Sequence, residues 1–119
     1  MHMTLKPEKK QKYRNKKTPC RHGHTHDSGK EARRCNDLHM LQRAGVITDL
    51  EQQPKYLFAI NGVPVTALNG RQLRFTPDFR YHDGGQLIVE DTKGMRTTDY
   101  QLRAAFFRAL HPDIVLRET

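Results

Sequence analysis

The 119-residue chain has no apolar run approaching the roughly 18 residues that a membrane-spanning helix requires. It also shows no signal-peptide pattern, so the expectation is a soluble cytoplasmic protein with no membrane partner. Its two cysteines, Cys20 and Cys35, are too few for a disulfide framework. Acidic residues are scarce where basic ones gather. Residues 1–17 hold Lys6, Lys9, Lys10, Lys12, Arg14, Lys16 and Lys17 against Glu8 alone, a net of +6 out of the chain's +8. A basic, apolar-poor leader of this kind predicts a disordered arm over 1–17. Lys9, Lys10, Lys12, Arg14, Lys16 and Lys17 are the cations expected to contact nucleic-acid phosphates, although a solubility tail has the same composition. Residues 18–119 are long enough for one domain with a modest core.

A histidine-rich stretch follows the arm: Cys20-Arg21-His22-Gly23-His24-Thr25-His26. Cys20, His22, Cys35 and His39 have the residue types of a four-ligand zinc site, but one Cys-x-His is not a finger spacing. The competing reading is a polar turn beside a helix-core cysteine. Ser28 followed by Glu31 then forms a capping-box pattern, and Gly45 is a stop signal, predicting a helix over 29–44. Ala32, Cys35, Leu38 and Leu41 make its apolar stripe. Glu31 lies four residues before Cys35 and seven before Leu38, at the edge of that stripe.

Residues 46–60 lead into an expected strand centred on Tyr56–Ile60, and Asn61-Gly62 and Asn69-Gly70 are turn signals. Thr97–Leu110 reads as a second helix with Leu102, Ala105, Phe106 and Ala109 on its apolar side. His111-Pro112 ends it, and Ile114-Val115-Leu116 reads as a last buried strand. The order of helix, three strands, helix and strand predicts an α/β fold, a mixed sheet flanked by helices.

The segment that carries chemistry is a hairpin, residues 74–94. Gly84-Gly85 between two β-prone runs marks a two-residue loop. With those glycines as the loop, Asp78 faces Asp91 and Thr76 faces Lys93, while a three-residue loop would bring Glu90 round to Asp78. Like charges directly opposed in a sheet are destabilising unless a cation lies between them or one holds a proton. Phe75, Phe79, Tyr81, Ile88 and Glu90 would share the opposite, mostly apolar face, which ranks Glu90 below Asp91 as a ligand.

Pro77-Asp78, twelve residues, then Asp91-Thr92-Lys93 resembles the signature of the PD-(D/E)xK nuclease superfamily. The helix with an acid before it and the helix–strand unit after it resemble that superfamily's restriction-endonuclease-like αβββαβ core. More narrowly, Asp27-Ser28 with Glu31-Ala32, Gln53-Pro54-Lys55-Tyr56 and Glu90-Asp91-Thr92-Lys93-Gly94 resemble small phage and prophage proteins grouped as predicted endonucleases. The resemblance spans residues 13–119. It departs at His26, where an aromatic or apolar residue is expected.

This resemblance implies a metal-dependent DNA endonuclease that hydrolyses phosphodiester bonds and leaves 5′-phosphates. Asp78 and Asp91 would ligate Mg²⁺, or Mn²⁺ in its place, with the Thr92 carbonyl as a third ligand. Lys93 would orient the attacking water or stabilise charge on the phosphate. Glu31 would bind the same metal or a second one, and Gln53 would position the water. Branched DNA, a Holliday junction or flap, is one expected substrate, and its paired scissile strands would favour a homodimer. The rival is a non-catalytic DNA-binding protein of the same fold, with the hairpin acids structural.

Overall fold

The structure is a computed structural model that describes residues 18–20, 25–26, 28–92 and 96–119, with residues 25 and 26 as backbone alone. The basic arm therefore lies outside the described residues, as do His22 and Lys93. The chain divides into two compact units, Met1–Asp37 and Leu38–Thr119.

In the first unit, β1 (Thr18–Pro19) and β2 (Thr25–His26) pair antiparallel. Helix α1 (Gly29–Arg43) begins here and runs on into the second unit. Its start follows the capping signal: the Ser28 Oγ accepts the Glu31 backbone N–H at 3.1 Å. Ala32, Cys35 and Leu38 are buried as the predicted stripe requires, whereas Leu41 is half-buried.

Helix α1 stops because Gly45 takes φ +82°, a left-handed conformation that costs little without a Cβ. The Val46 N–H then reaches back to the Leu41 carbonyl at 2.9 Å and the Gly45 N–H to that of Gln42 at 3.0 Å. The chain enters β3 (Thr48–Gln52), whose Leu50 N–H donates to the Gln42 Oε1.

Strand β3 corrects the sequence expectation, which centred the first strand on Tyr56–Ile60. Those residues instead form β4 (Tyr56–Leu57) and β5 (Ala59–Ile60), short strands outside the main sheet. Strand β4 pairs with β7 (Arg74–Phe75), and β5 with β6 (Val63–Pro64) across the Asn61-Gly62 turn, where both φ angles are positive. The polar Thr48-Asp49-Leu50-Glu51-Gln52 carries no apolar alternation because it is an edge strand, held by backbone pairing and little burial. Its pairing breaks between Thr48 and Glu51, with Asp49 at φ +57°.

The main sheet has strand order β10-β9-β8-β3, formed with β8 (Phe79–Asp83), β9 (Gln86–Asp91) and β10 (Val115–Glu118). Strands β3, β8 and β9 run antiparallel, and β10 lies parallel to β9 after the crossover through helix α2 (Thr98–Leu110). This is a mixed α/β sheet with the expected order of helix, three strands, helix and strand. The β8–β9 loop is Gly84-Gly85, at φ +59° and +85°, so Asp83 pairs with Gln86 and Phe79 with Glu90.

The core of the second unit gathers Phe58, Phe75, Val89, Tyr100, Ala104 and Phe107. Phe107 is its centre, with ring centroids 4.8 Å from Tyr56 and 5.1 Å from Phe75. Helix α2 thus buries Tyr100, Ala104 and Phe107, not the expected Leu102, Ala105, Phe106 and Ala109. Leu102 is 58% and Phe106 43% exposed. The helix carries apolar residues on two faces, and the rings of Tyr56 and Phe75 pack against Phe107, while Phe106 meets Phe58 and stays exposed. Strand β10 is also a correction: it lies at the sheet edge with Val115 exposed, whereas a buried strand was expected. Among the described residues, no helix is long and apolar enough to cross a membrane.

Candidate functional site

The β8–β9 hairpin has the register that the two-glycine loop predicts. Asp78 and Asp91 lie one step beyond the last paired residues, Phe79 and Glu90. Between β7 and β8, however, Thr76-Pro77-Asp78 leaves strand geometry, since proline has no N–H to give a ladder. That break resets the alternation. Phe75 packs in the cluster with Val89, while Phe79, Tyr81, Ile88 and Glu90 alternate onto the other face. The expectation that Phe75 shares the face of Phe79 is corrected accordingly.

The bend turns Asp78 onto its neighbours. Its carboxylate Oδ2 accepts the Thr92 backbone N–H at 2.7 Å, and its carbonyl accepts the Gln53 N–H at 2.9 Å. Gln53 itself sits at φ +48°, just past the end of β3. Backbone contacts therefore bring Gln53, Asp78 and Thr92 to one end of the sheet, beside Asp91. The Gln53 side chain is exposed there.

Asp91 is only 2% exposed. Its strand neighbour on the far side is Glu118, its partner in the parallel β9–β10 register. The Asp91 carbonyl accepts the Thr119 N–H at 3.0 Å, and the Thr92 and Thr119 hydroxyls are 3.1 Å apart. The Tyr100 hydroxyl donates to Glu118 Oε2 at 2.7 Å, and Arg96 pairs with Glu118 Oε1 at 2.8 Å. Burial raises the Tyr100 hydroxyl well above its ordinary pKa, helped by the Glu118 hydrogen bond and the nearby Asp91 charge. The Arg96 hydrogen bond, followed by that of Tyr100, lowers the Glu118 carboxyl.

Asp78, just before β8, Asp91 on β9 and Glu118 on β10 thus lie at one end of the sheet. Glu118, Tyr100 and Arg96 were missed by sequence reasoning. The packing of the α2 crossover sets which residue of β10 meets Asp91, and no local pattern encodes it. Among the described residues, no three His, Cys, Asp or Glu side chains converge as a metal-holding group.

Glu90 has a different role from its neighbour. It is fully buried, and its Oε1 accepts the Tyr81 hydroxyl at 2.6 Å. The Tyr81 oxygen in turn accepts from Arg117 Nη1 at 3.0 Å. Glu90 is therefore a structural acid on the face opposite Asp91. Glu31, in the first unit, is 6% exposed, with its backbone N–H on the Ser28 cap. Lys93 and the arm cations Lys9, Lys10, Lys12, Arg14, Lys16 and Lys17 lie outside the described residues. Of the suggested zinc set, Cys20 and Cys35 are brought together, with sulfurs 3.3 Å apart, and His22 lies outside the described residues.

The donor types at the sheet end fit a hard cation. Mg²⁺ typically takes one or two carboxylates and fills its other positions with carbonyls, waters and phosphate oxygens, so it does not need three converging side chains. Asp78 and Asp91 are such a pair, and the Thr92 carbonyl follows directly in the chain.

Neither the curated proteins nor the solved structures contain a match to this chain. The family comparison does match, over residues 10–118: the chain belongs to the DUF1064 family, described as proteins of unknown function.

Proposed function

We propose that the protein is a metal-dependent DNA endonuclease that hydrolyses phosphodiester bonds at the end of the β8–β9 hairpin. The observation that carries this reading is the adjacency of Asp78 and Asp91, with Asp78 pinned by the Thr92 amide. The Thr92 N–H orients the Asp78 carboxylate next to a second, buried acid. Glu118 lies on the next strand, where Arg96 already meets its charge, which leaves Asp78 and Asp91 as the candidate acids for a cation. Gathered negative charge of this kind is offset by a bound cation. The resemblance of Pro77-Asp78 and Asp91-Thr92-Lys93 to the PD-(D/E)xK signature supports the same reading.

In this proposal Asp78, Asp91 and the Thr92 carbonyl would hold Mg²⁺ or Mn²⁺, which would supply Lewis-acid stabilisation of the phosphate. Lys93 stabilises charge developing on the phosphate or orients the water. Gln53 would position the attacking water. The arm cations hold the DNA backbone. Branched DNA is the favoured substrate class, cut by a homodimer whose two sites meet two strands.

The test is cleavage of labelled linear, nicked, flap and four-way DNAs with Mg²⁺, Mn²⁺ or EDTA. Cleavage that needs the metal and leaves 5′-phosphates supports the proposal. Tight binding of the same DNAs without any metal-dependent cleavage overturns it in favour of a non-catalytic DNA-binding protein.

A further inference from the structure

The crossover that sets the register of β10 also leaves a cleft beside it. Gln101, Ala104, Ala105 and Arg108 recur on α2 at the spacing of one helix face, and Leu116 and Glu118 stand on one face of β10. Together with Arg96 and Tyr100 they line an open cleft of about 640 Å³. The small side chains of Ala104 and Ala105 leave the space between helix and strand unfilled.

Charge in the cleft is unequal, because Arg96 and Arg108 share it with the one carboxylate of the lining, Glu118. Glu118 is already met by Arg96 at 2.8 Å and by the Tyr100 hydroxyl at 2.7 Å. Arg96 spends its Nε and Nη2 on that carboxylate. Its Nη1 donors remain, since a guanidinium carries five N–H groups. Of the two arginines on α2, Arg103 is taken by Asp99 at 2.9 Å and by the Arg74 carbonyl at 2.7 Å. Arg108 is exposed, and among the described residues no carboxylate forms an ion pair with it. The cleft therefore offers a cation to an anion from outside. Its position says which anion, because Glu118 is the register partner of Asp91 and the cleft adjoins the end of the sheet that holds the hairpin acids.

We infer that the α2–β10 cleft seats a phosphate of the DNA strand flanking the scissile one, anchored by Arg108 with Arg96 beside it. The inference rests on the proposed nuclease reading and deepens it by naming how the strand is held. Guanidinium forks match the geometry of phosphate oxygens. The cleft is larger than a phosphate group, and Ala104, Ala105 and Leu116 present an apolar surface to the attached sugar. A contact of this kind positions the strand and reads no base.

The experiment measures binding of the full chain to labelled linear and four-way DNAs of two unrelated sequences, in Ca²⁺, over a series of salt concentrations. Arg108→Ala is expected to weaken binding to both sequences alike and to reduce the logarithmic salt slope by about 0.9, the share of one duplex phosphate contact. Arg108→Lys should keep the slope, because an ammonium still neutralises a phosphate. Arg108 is exposed, so a melting curve equal to wild type is expected for both variants. Arg71→Ala is the control, an exposed arginine outside the cleft. If it lowers the slope as much as Arg108→Ala, net charge rather than the cleft is responsible and the inference falls. Unchanged affinity and slope in Arg108→Ala, or a loss confined to one sequence, also overturns it. The nuclease reading fails separately. Metal-dependent cleavage with an unchanged slope removes only the cleft, whereas a lowered slope in a chain that never cleaves removes only the nuclease.

Discussion

Asp78 and Thr92 are joined by a 2.7 Å hydrogen bond from the Thr92 amide to the Asp78 carboxylate, across strands whose last paired residues are Phe79 and Glu90. The bond fixes Asp78 beside Asp91 at the point where the chain leaves the sheet. One oxygen of Asp78 is engaged by the backbone, which orients the carboxylate. This arrangement makes the hairpin end the part of the molecule where substitution should separate chemistry from folding.

Asp91→Asn is expected to abolish metal-dependent cleavage while leaving the fold and most DNA binding intact. Asparagine keeps the shape of the side chain and removes the charge that holds a hard cation. Relief of repulsion from Asp78 and Glu118 should leave thermal stability without metal equal or higher. The check is cleavage beside a melting curve. A fully active variant, or activity lost through a collapsed transition, contradicts the assignment.

Lys93→Ala is expected to slow single-turnover cleavage on the order of 10²–10³-fold, the scale of one electrostatic contributor. Metal affinity should change little, because an ammonium is not a ligand. DNA affinity, measured in Ca²⁺, should fall much less than turnover. Wild-type cleavage at saturating enzyme and Mg²⁺ would reassign Lys93 as a phosphate anchor.

Deleting residues 1–17 should weaken DNA binding and flatten its salt dependence without altering the metal requirement. Each arm cation that engages duplex phosphate contributes about 0.9 to the logarithmic slope. An unchanged slope removes the arm from the footprint.

Tyr81→Phe tests Glu90 as a structural acid. The variant takes away the hydroxyl that donates to the fully buried Glu90 and accepts from Arg117. Leaving a buried acceptor short of a donor costs about 1–3 kcal/mol, read as a lowered denaturant midpoint with an unchanged slope. A midpoint equal to wild type contradicts that role.

The pH dependence of stability should carry a contribution from Glu118. Its folded pKa lies below the unfolded one because Arg96 and Tyr100 hydrogen-bond to the carboxylate. A depressed carboxyl contributes stability that is fully present above the unfolded value, near 4.5, and is lost as pH falls through the folded value. Glu118→Gln should therefore lower the melting temperature at neutral pH, with the gap to wild type closing at acid pH. A gap that stays constant through the acid range excludes this linkage.

What the sequence determined by itself is local. Gly84-Gly85 set the β8–β9 register because only glycine takes two consecutive left-handed conformations cheaply, and that register carries Asp78 to Asp91. Ser28 and Gly45 likewise marked the ends of α1 through bonds made within a few residues. The tertiary structure decided whatever depends on surfaces distant in sequence. It chose Phe107 over Phe106 on α2, because both faces are apolar and only the rings packed on Phe107, those of Tyr56 and Phe75, decide which is buried. It made a strand of the polar Thr48–Gln52, since an edge strand is held by a neighbour's backbone and needs no apolar alternation of its own. It also brought Glu118 beside Asp91: a parallel pair is joined through a helical crossover, whose packing, rather than any turn, sets the register.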